Sequence, residues 1–147
     1  MALLTSLYLC SRTVYAAVGT PTGSGARVVA AAQTELPEGC LINGVITNEA
    51  DLTAALKEFF TANKLPMNRV ALIAGGSQFM HRLLTLPAMS EKKRMAVLSH
   101  ELASGGAEVR APLDDYMLLS RDARTRVDTV LATRVEQSVI AGYDALA

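Results

Sequence analysis

Tryptophan is absent, aromatic residues make up 5% of the chain, and only two cysteines and two histidines occur among 147 residues with no net charge. Each shortage closes a class of function. Fourteen basic residues balance fourteen acidic ones, which leaves no electrostatic footprint for a nucleic-acid backbone. Cys10 and Cys40 stand in a chain whose opening MALLTSLYLC lacks a basic n-region and an A-x-A cleavage pattern, so both thiols are expected to stay reduced and buried. No apolar run reaches the roughly 18 to 20 residues of a membrane span. The expectation is therefore a soluble, cytoplasmic chain with no direct membrane insertion.

The chemistry-bearing motifs are equally sparse. His100-Glu101 continues as Leu102-Ala103-Ser104-Gly105 and not as H-E-x-x-H, so it and His81 read as structural histidines. Gly76-Ser77 lacks the flanks of G-x-S-x-G and leads into a strand-like run. The glycine-rich stretch from Gly19 to Gly25 precedes neither G-K-[ST] nor a helix, and reads as the surface loop of a hairpin. Asp114-Asp115, adjacent on a strand, point to opposite faces and read as a solvated strand start. No catalytic residue, cofactor or metal ion is expected.

What is present is core material. The chain is 50% hydrophobic with a mean hydropathy of +0.25, enough for one packed domain or two small lobes. Leu4 to Cys10, Thr13 to Val18 and Arg27 to Leu36 read as three strands. A turn at Leu36-Pro37-Glu38-Gly39 leads to a short crossing bent at Asn43-Gly44. Asn48 then caps a helix, with Asp51 completing a capping box and Leu52, Ala55, Leu56, Phe59 and Phe60 as its apolar stripe. The central stretch, Arg69 to Glu101, predicts a hairpin of Arg69–Ala74 and Gln78–Leu86 about Gly75-Gly76-Ser77, with the second strand covered on both sides. After Pro87, Ser90 caps a helix carrying Met95, Leu98 and Leu102, whose first turn, Glu91-Lys92-Lys93-Arg94, reads as solvated. Asp114–Ser120 and Arg126–Thr133 read as two more strands, and a last helix starts at Arg134. It reaches the final residue without a cap, the pattern of a chain that continues in a longer protein.

This order of elements resembles the first part of the PilM family of type IV pilus assembly proteins, actin-like relatives of FtsA. The resemblance rests on Gly44-Val45-Ile46, Arg69–Leu72, Gly76-Ser77, Leu86-Pro87 and Glu101 in that order and at compatible spacing, and it covers nearly all the chain. It implies an α/β (α+β) fold with mixed sheets and packed helices. Residues 1–68 and 112–147 would form a partial actin-like (ribonuclease H-like) core, and 69–111 an inserted small FtsA-like subdomain of the SHS2 kind. One departure stands out. Actin-like ATPases end their first strand in D-x-G; this chain has Tyr8 and Cys10 at those places, in the run Tyr8-Leu9-Cys10-Ser11-Arg12-Thr13.

The resemblance thus implies a non-enzymatic scaffold that holds the cytoplasmic N-terminal peptide of a bitopic inner-membrane pilus protein and is membrane-associated through it. A nucleotide-binding actin-like ATPase fragment is a second expectation, and self-association, as in FtsA-like structural proteins, a third. The candidate partner-binding residues are Met89, Lys92, Lys93 and Met95, where adaptable thioethers flank an exposed basic turn.

Overall fold

A computed structural model describes residues 2–106 and 108–146. The chain forms two compact units, Met1–Ser77 with Gly142–Ala147, and Gln78–Ala141.

The first unit is built on a four-stranded sheet. Strands β1 (Leu4–Cys10), β2 (Thr13–Thr22) and β3 (Gly25–Glu35) form an antiparallel meander. The glycine-rich loop expected from Gly19 shrinks to Gly23-Ser24, because β2 and β3 stay paired out to Thr22 and Gly25. A bulge at Val29 interrupts that ladder between the Val18 and Gly19 pairings. The small hairpin β4 (Leu41–Ile42) and β5 (Val45–Ile46) turns through Asn43 and Gly44, both at positive φ as a two-residue hairpin turn requires. Helix α1 (Glu49–Ala62) begins at the expected capping box: the Asn48 side chain accepts from the Asp51 N–H at 3.1 Å and donates to its carboxylate at 2.7 Å. Its stripe of Leu52, Leu56, Phe59 and Phe60 is buried, as are Leu7, Leu9, Val14, Ala16 and Val18 on one face of the sheet.

The fourth strand, β6 (Val70–Ala74), corrects the expected central hairpin. It lies parallel to β1, with Leu72 beside Leu7, and forms the edge of the sheet β3-β2-β1-β6. Gly75 and Gly76 therefore do not close a turn between neighbouring strands. They pass against the β4–β5 turn so closely that a Cβ on Gly76 would stand 2.5 Å from the Asn43 carbonyl oxygen. Two glycines between apolar runs suit both a hairpin and a backbone-to-backbone crossing, and here the second use prevails.

The second unit pairs one helix with one sheet. Strand β7 (Met80–Pro87), helix α2 (Glu91–Ala103), and strands β8 (Pro112–Asp122) and β9 (Val127–Glu136) give the sheet order β7-β9-β8, all antiparallel. The residues expected as an insert, 69–111, are split: β6 belongs to the first unit's sheet, while β8 and β9 complete the second. Burial alternates along β7. Met80, Arg82, Leu84 and Leu86 face inward, while His81, Leu83 and Thr85 are exposed, so this strand is covered on one side and not on two. Leu86, Leu98, Leu102, Val130 and Ala132 form the core. Ser90 holds the N-cap position in extended conformation, but its hydroxyl makes no capping bond. The last helix, α3 (Gln137–Asp144), starts later than expected because Arg134 and Val135 are still strand residues, both buried.

Two arginine–aspartate clusters lock this layer, and both replace a reading of solvated charge. Arg94, placed by the sequence in a solvated first turn, is buried and donates to the fully buried Asp128 at 2.5 Å and to the Tyr116 hydroxyl at 3.0 Å. Arg121 closes on the same carboxylate through Nε at 2.8 Å. Asp114 is not a solvated strand start; it takes a two-pronged grip from Arg134 at 2.7 and 2.8 Å, with both side chains under a tenth exposed. Asp115, pointing the other way, is exposed.

The hydrogen bonds from Arg134 outweigh the desolvation of Asp114, and those from Arg121 the desolvation of Asp128, so both carboxyls titrate below the ordinary range. A depressed folded-state pKa gives stability that is present above the unfolded value, about 3.9, and lost as pH falls through the folded one. Thermal melts should accordingly hold a steady midpoint down to about pH 5 and fall steeply below about pH 4. A midpoint unchanged through that lower window would show that the pairs contribute nothing.

Candidate partner-binding site

Alternation along β1 and β2 buries one face of the four-stranded sheet and leaves the other open. Register then sorts the open face into rows. Ala71, Ser6, Ala17 and Ala31 are successive cross-strand neighbours on β6, β1, β2 and β3, and make a trough of small side chains across the whole sheet. Beside it runs a wall of Ile73, Tyr8, Tyr15 and Gln33, neighbours in the same sense. The tyrosine rings stack with centroids 6.2 Å apart and planes 21° apart. Ile73, Tyr8 and Tyr15 are 50%, 40% and 42% exposed, which is high for large apolar groups side by side on one sheet face. Of these residues, all but Ala71 line a shallow depression of about 580 Å³. A smaller apolar cleft of about 390 Å³ lies between α1 and the β6 edge, lined by Leu56, Phe60, Met67, Val70 and Leu72, with Lys57 among its lining residues.

In the actin-like arrangement that the resemblance implies, a nucleotide phosphate would sit at the first turn after β1, Ser11-Arg12. Tyr8 is committed to the ring stack, Cys10 is exposed, and the Arg12 carbonyl accepts from the Leu36 N–H at 2.8 Å. The hairpin of β1 and β2 carries no carboxylate, and its turn has no glycine to admit a phosphate to the backbone. Glu35, across from Thr13 on β3, is the nearest acidic residue in the register. This donor set does not fit a nucleotide with a hard divalent cation. Among the described residues no three His, Cys, Asp or Glu side chains gather as metal ligands.

Of the residues singled out from sequence, Met89 and Met95 are half-buried and pack against the core of the second unit, while Lys92 and Lys93 are exposed on the first turn of α2. Two of the four are thus engaged in holding the helix to its sheet. No local pattern hints at the trough, because Ser6, Ala17, Ala31 and Ala71 lie on four different strands and only register brings them together. Alternation of Tyr8 and Tyr15 with buried neighbours was the available signal. The second unit also has an open apolar row, Leu83, Leu131 and Met117, on the sheet face away from its core. Among the described residues no helix is long and apolar enough to cross a membrane.

No protein-family profile matches the chain, and no curated protein matches it. Among solved structures it is similar to a chain of the PilM-PilN type IV pilus biogenesis complex, with a TM-score of 0.81 and 18% sequence identity. The likeness covers 99% of this chain and 43% of that one, so the chain spans less than half the length of the protein it matches. At this identity the shared property is the mixed α+β fold.

Proposed function

We propose that this chain is a non-enzymatic scaffold of a type IV pilus or related secretion platform, and that it holds the short cytoplasmic tail of a membrane-anchored pilus protein. The observation that carries this reading is the fold shared along 99% of the chain with a component of a PilM-PilN complex. The open sheet face supplies the physical means. A peptide laid across it would cover the exposed Ile73, Tyr8 and Tyr15 and fit its side chains into the row of small residues beside them. Aromatic anchors next to a depression are the residue type that dominates binding energy in such contacts. The chain would then be cytoplasmic and reach the membrane only through its partner.

The test is co-purification from a lysate of the protein's own source, comparing the wild type with Tyr15→Lys and Ala31→Lys. Both positions are exposed, so folding should be retained. Recovery of a bitopic membrane protein with the wild type, lost in both variants, is the expected result. Equal recovery in all three would remove the sheet face as the site, and recovery of no membrane protein would overturn the scaffold reading.

A further inference from the structure

The chain has no net charge, yet one end of the second unit is basic. The turn between β8 and β9, residues 123–126, folds back on the approach to α2, where the Ala88 N–H donates to the Arg126 carbonyl at 2.8 Å. That bond puts Arg124 and Arg126 at the same end of the unit as Lys92 and Lys93 in the first turn of α2, and all four are exposed. Among the described residues none of the four makes an ion pair. Arg121 stands at the root of the same turn with its side chain 56% exposed. The exposed carboxylates here are Glu91 and Asp122, and Asp122 already accepts from the Arg124 and Thr125 N–H groups. Beneath the surface, Asp128 serves both Arg94 and Arg121, so that cluster keeps one positive charge, and the Arg94 Nε has no acceptor among the described residues. The uncapped first turn of α2 adds the positive end of its dipole. The patch is made within Gln78–Ala141 and uses neither an unpaired strand edge nor the terminal residues.

We propose that this end of the second unit rests on the phosphate-bearing headgroups of an anionic membrane surface. Cations spread over two turns and a strand end suit a plane of separate phosphates better than one enclosed ion, and each exposed Lys or Arg adds its own increment of attraction. Leucines accompany them. Leu118 and Leu119, 41% and 51% exposed at the β8 bulge, directly precede Ser120 and Arg121. Cations with leucine beside them are the composition of an interfacial surface, whereas an acidic peptide calls only for the charge. The contact is with headgroups and needs no segment that crosses the bilayer. It goes beyond the scaffold reading, in which the partner alone brings the chain to the membrane, and its test contains no partner.

The experiment is co-sedimentation of the purified 147-residue chain with phosphatidylcholine vesicles made with and without phosphatidylglycerol. Two double variants carry the test, Lys92→Gln/Lys93→Gln and Arg124→Gln/Arg126→Gln, each checked for native circular dichroism. A third, Lys57→Gln/Lys64→Gln, removes the same charge from exposed positions of the first unit. The wild type should bind the phosphatidylglycerol vesicles alone and let go as salt is raised. Either patch variant should bind on the order of tenfold more weakly, and the first-unit variant as the wild type does. Equal binding to neutral vesicles, no binding to either kind, or the same loss in the first-unit variant would each overturn the proposal. So would release by inorganic phosphate at constant ionic strength, the mark of a single-ion site, or binding of a hexaglutamate peptide without binding of vesicles, the mark of an acidic protein partner.

Discussion

Gly76→Ala is expected to cost about 3 kcal/mol or more and to disrupt the first unit, whereas Gly39→Ala should cost only about 1 kcal/mol. Both glycines have positive φ, +141° and +76°, so backbone strain alone does not separate them. Space does. A Cβ at Gly39 would meet nothing within 4 Å, while one at Gly76 would stand 2.5 Å from the Asn43 oxygen, 2.6 Å from its carbonyl carbon and 2.7 Å from the Gly44 nitrogen. All three are backbone atoms, and the β4–β5 turn cannot retreat freely. Gly44 is itself pressed against Gly75, and its carbonyl accepts from the buried Tyr143 hydroxyl at 2.9 Å. Burial holds that hydroxyl above its ordinary pKa, so it remains a donor at neutral pH. Chemical denaturation of the two variants side by side measures the difference. Equal small losses would mean that the crossing is looser than described.

The second large effect is expected at Arg134. Arg134→Met keeps the apolar stem but strips the Asp114 carboxylate of its cation where neither side chain is more than a tenth exposed, and it removes the donor to the Ser99 carbonyl at 3.0 Å. Leaving a buried charge unpaired costs roughly 3–5 kcal/mol, far above the worth of a surface ion pair. Adding Asp114→Leu should restore much of that loss, since a well-packed apolar pair is often no worse than the ion pair it replaces. A double-mutant cycle reads the coupling directly. If the two single losses simply add, the pair is not coupled and the layer is held by its leucines alone.

The elements that the sequence revealed are those with a local signature. The Asn48–Asp51 box, the Leu52–Phe60 stripe and the Leu98–Leu102 spacing are all written within one or two turns of chain. Non-local pairing was the part it concealed. Gly75-Gly76 looks like a hairpin until β6 is seen to lie parallel to β1, some sixty residues earlier in the chain. Arg94 and Asp114 look like solvated charge until the register of β8 and β9 and the seat of α2 bring each to a partner of opposite sign. The candidate site was hidden for the same reason. Its tyrosines stack only because Tyr8 and Tyr15 are direct cross-strand partners, and nothing in the separate strands states that they are. Met89 and Met95, read from sequence as part of a docking patch beside a basic turn, also pack against the core around Leu86 and Leu98, a contact that the helical spacing alone does not show.

The scaffold reading comes down to whether a membrane protein's tail lies on the open sheet face in the cell. A photoreactive residue placed at Tyr15 and, as a control, at Leu83 on the sheet of the second unit would report it by crosslinking in the protein's own source, with the adducts identified by mass spectrometry. The account predicts an adduct at Tyr15 with the cytoplasmic tail of a bitopic membrane protein, and none with that tail at Leu83. A tail captured at Leu83 but not at Tyr15, or no membrane-protein adduct at either position, would contradict it.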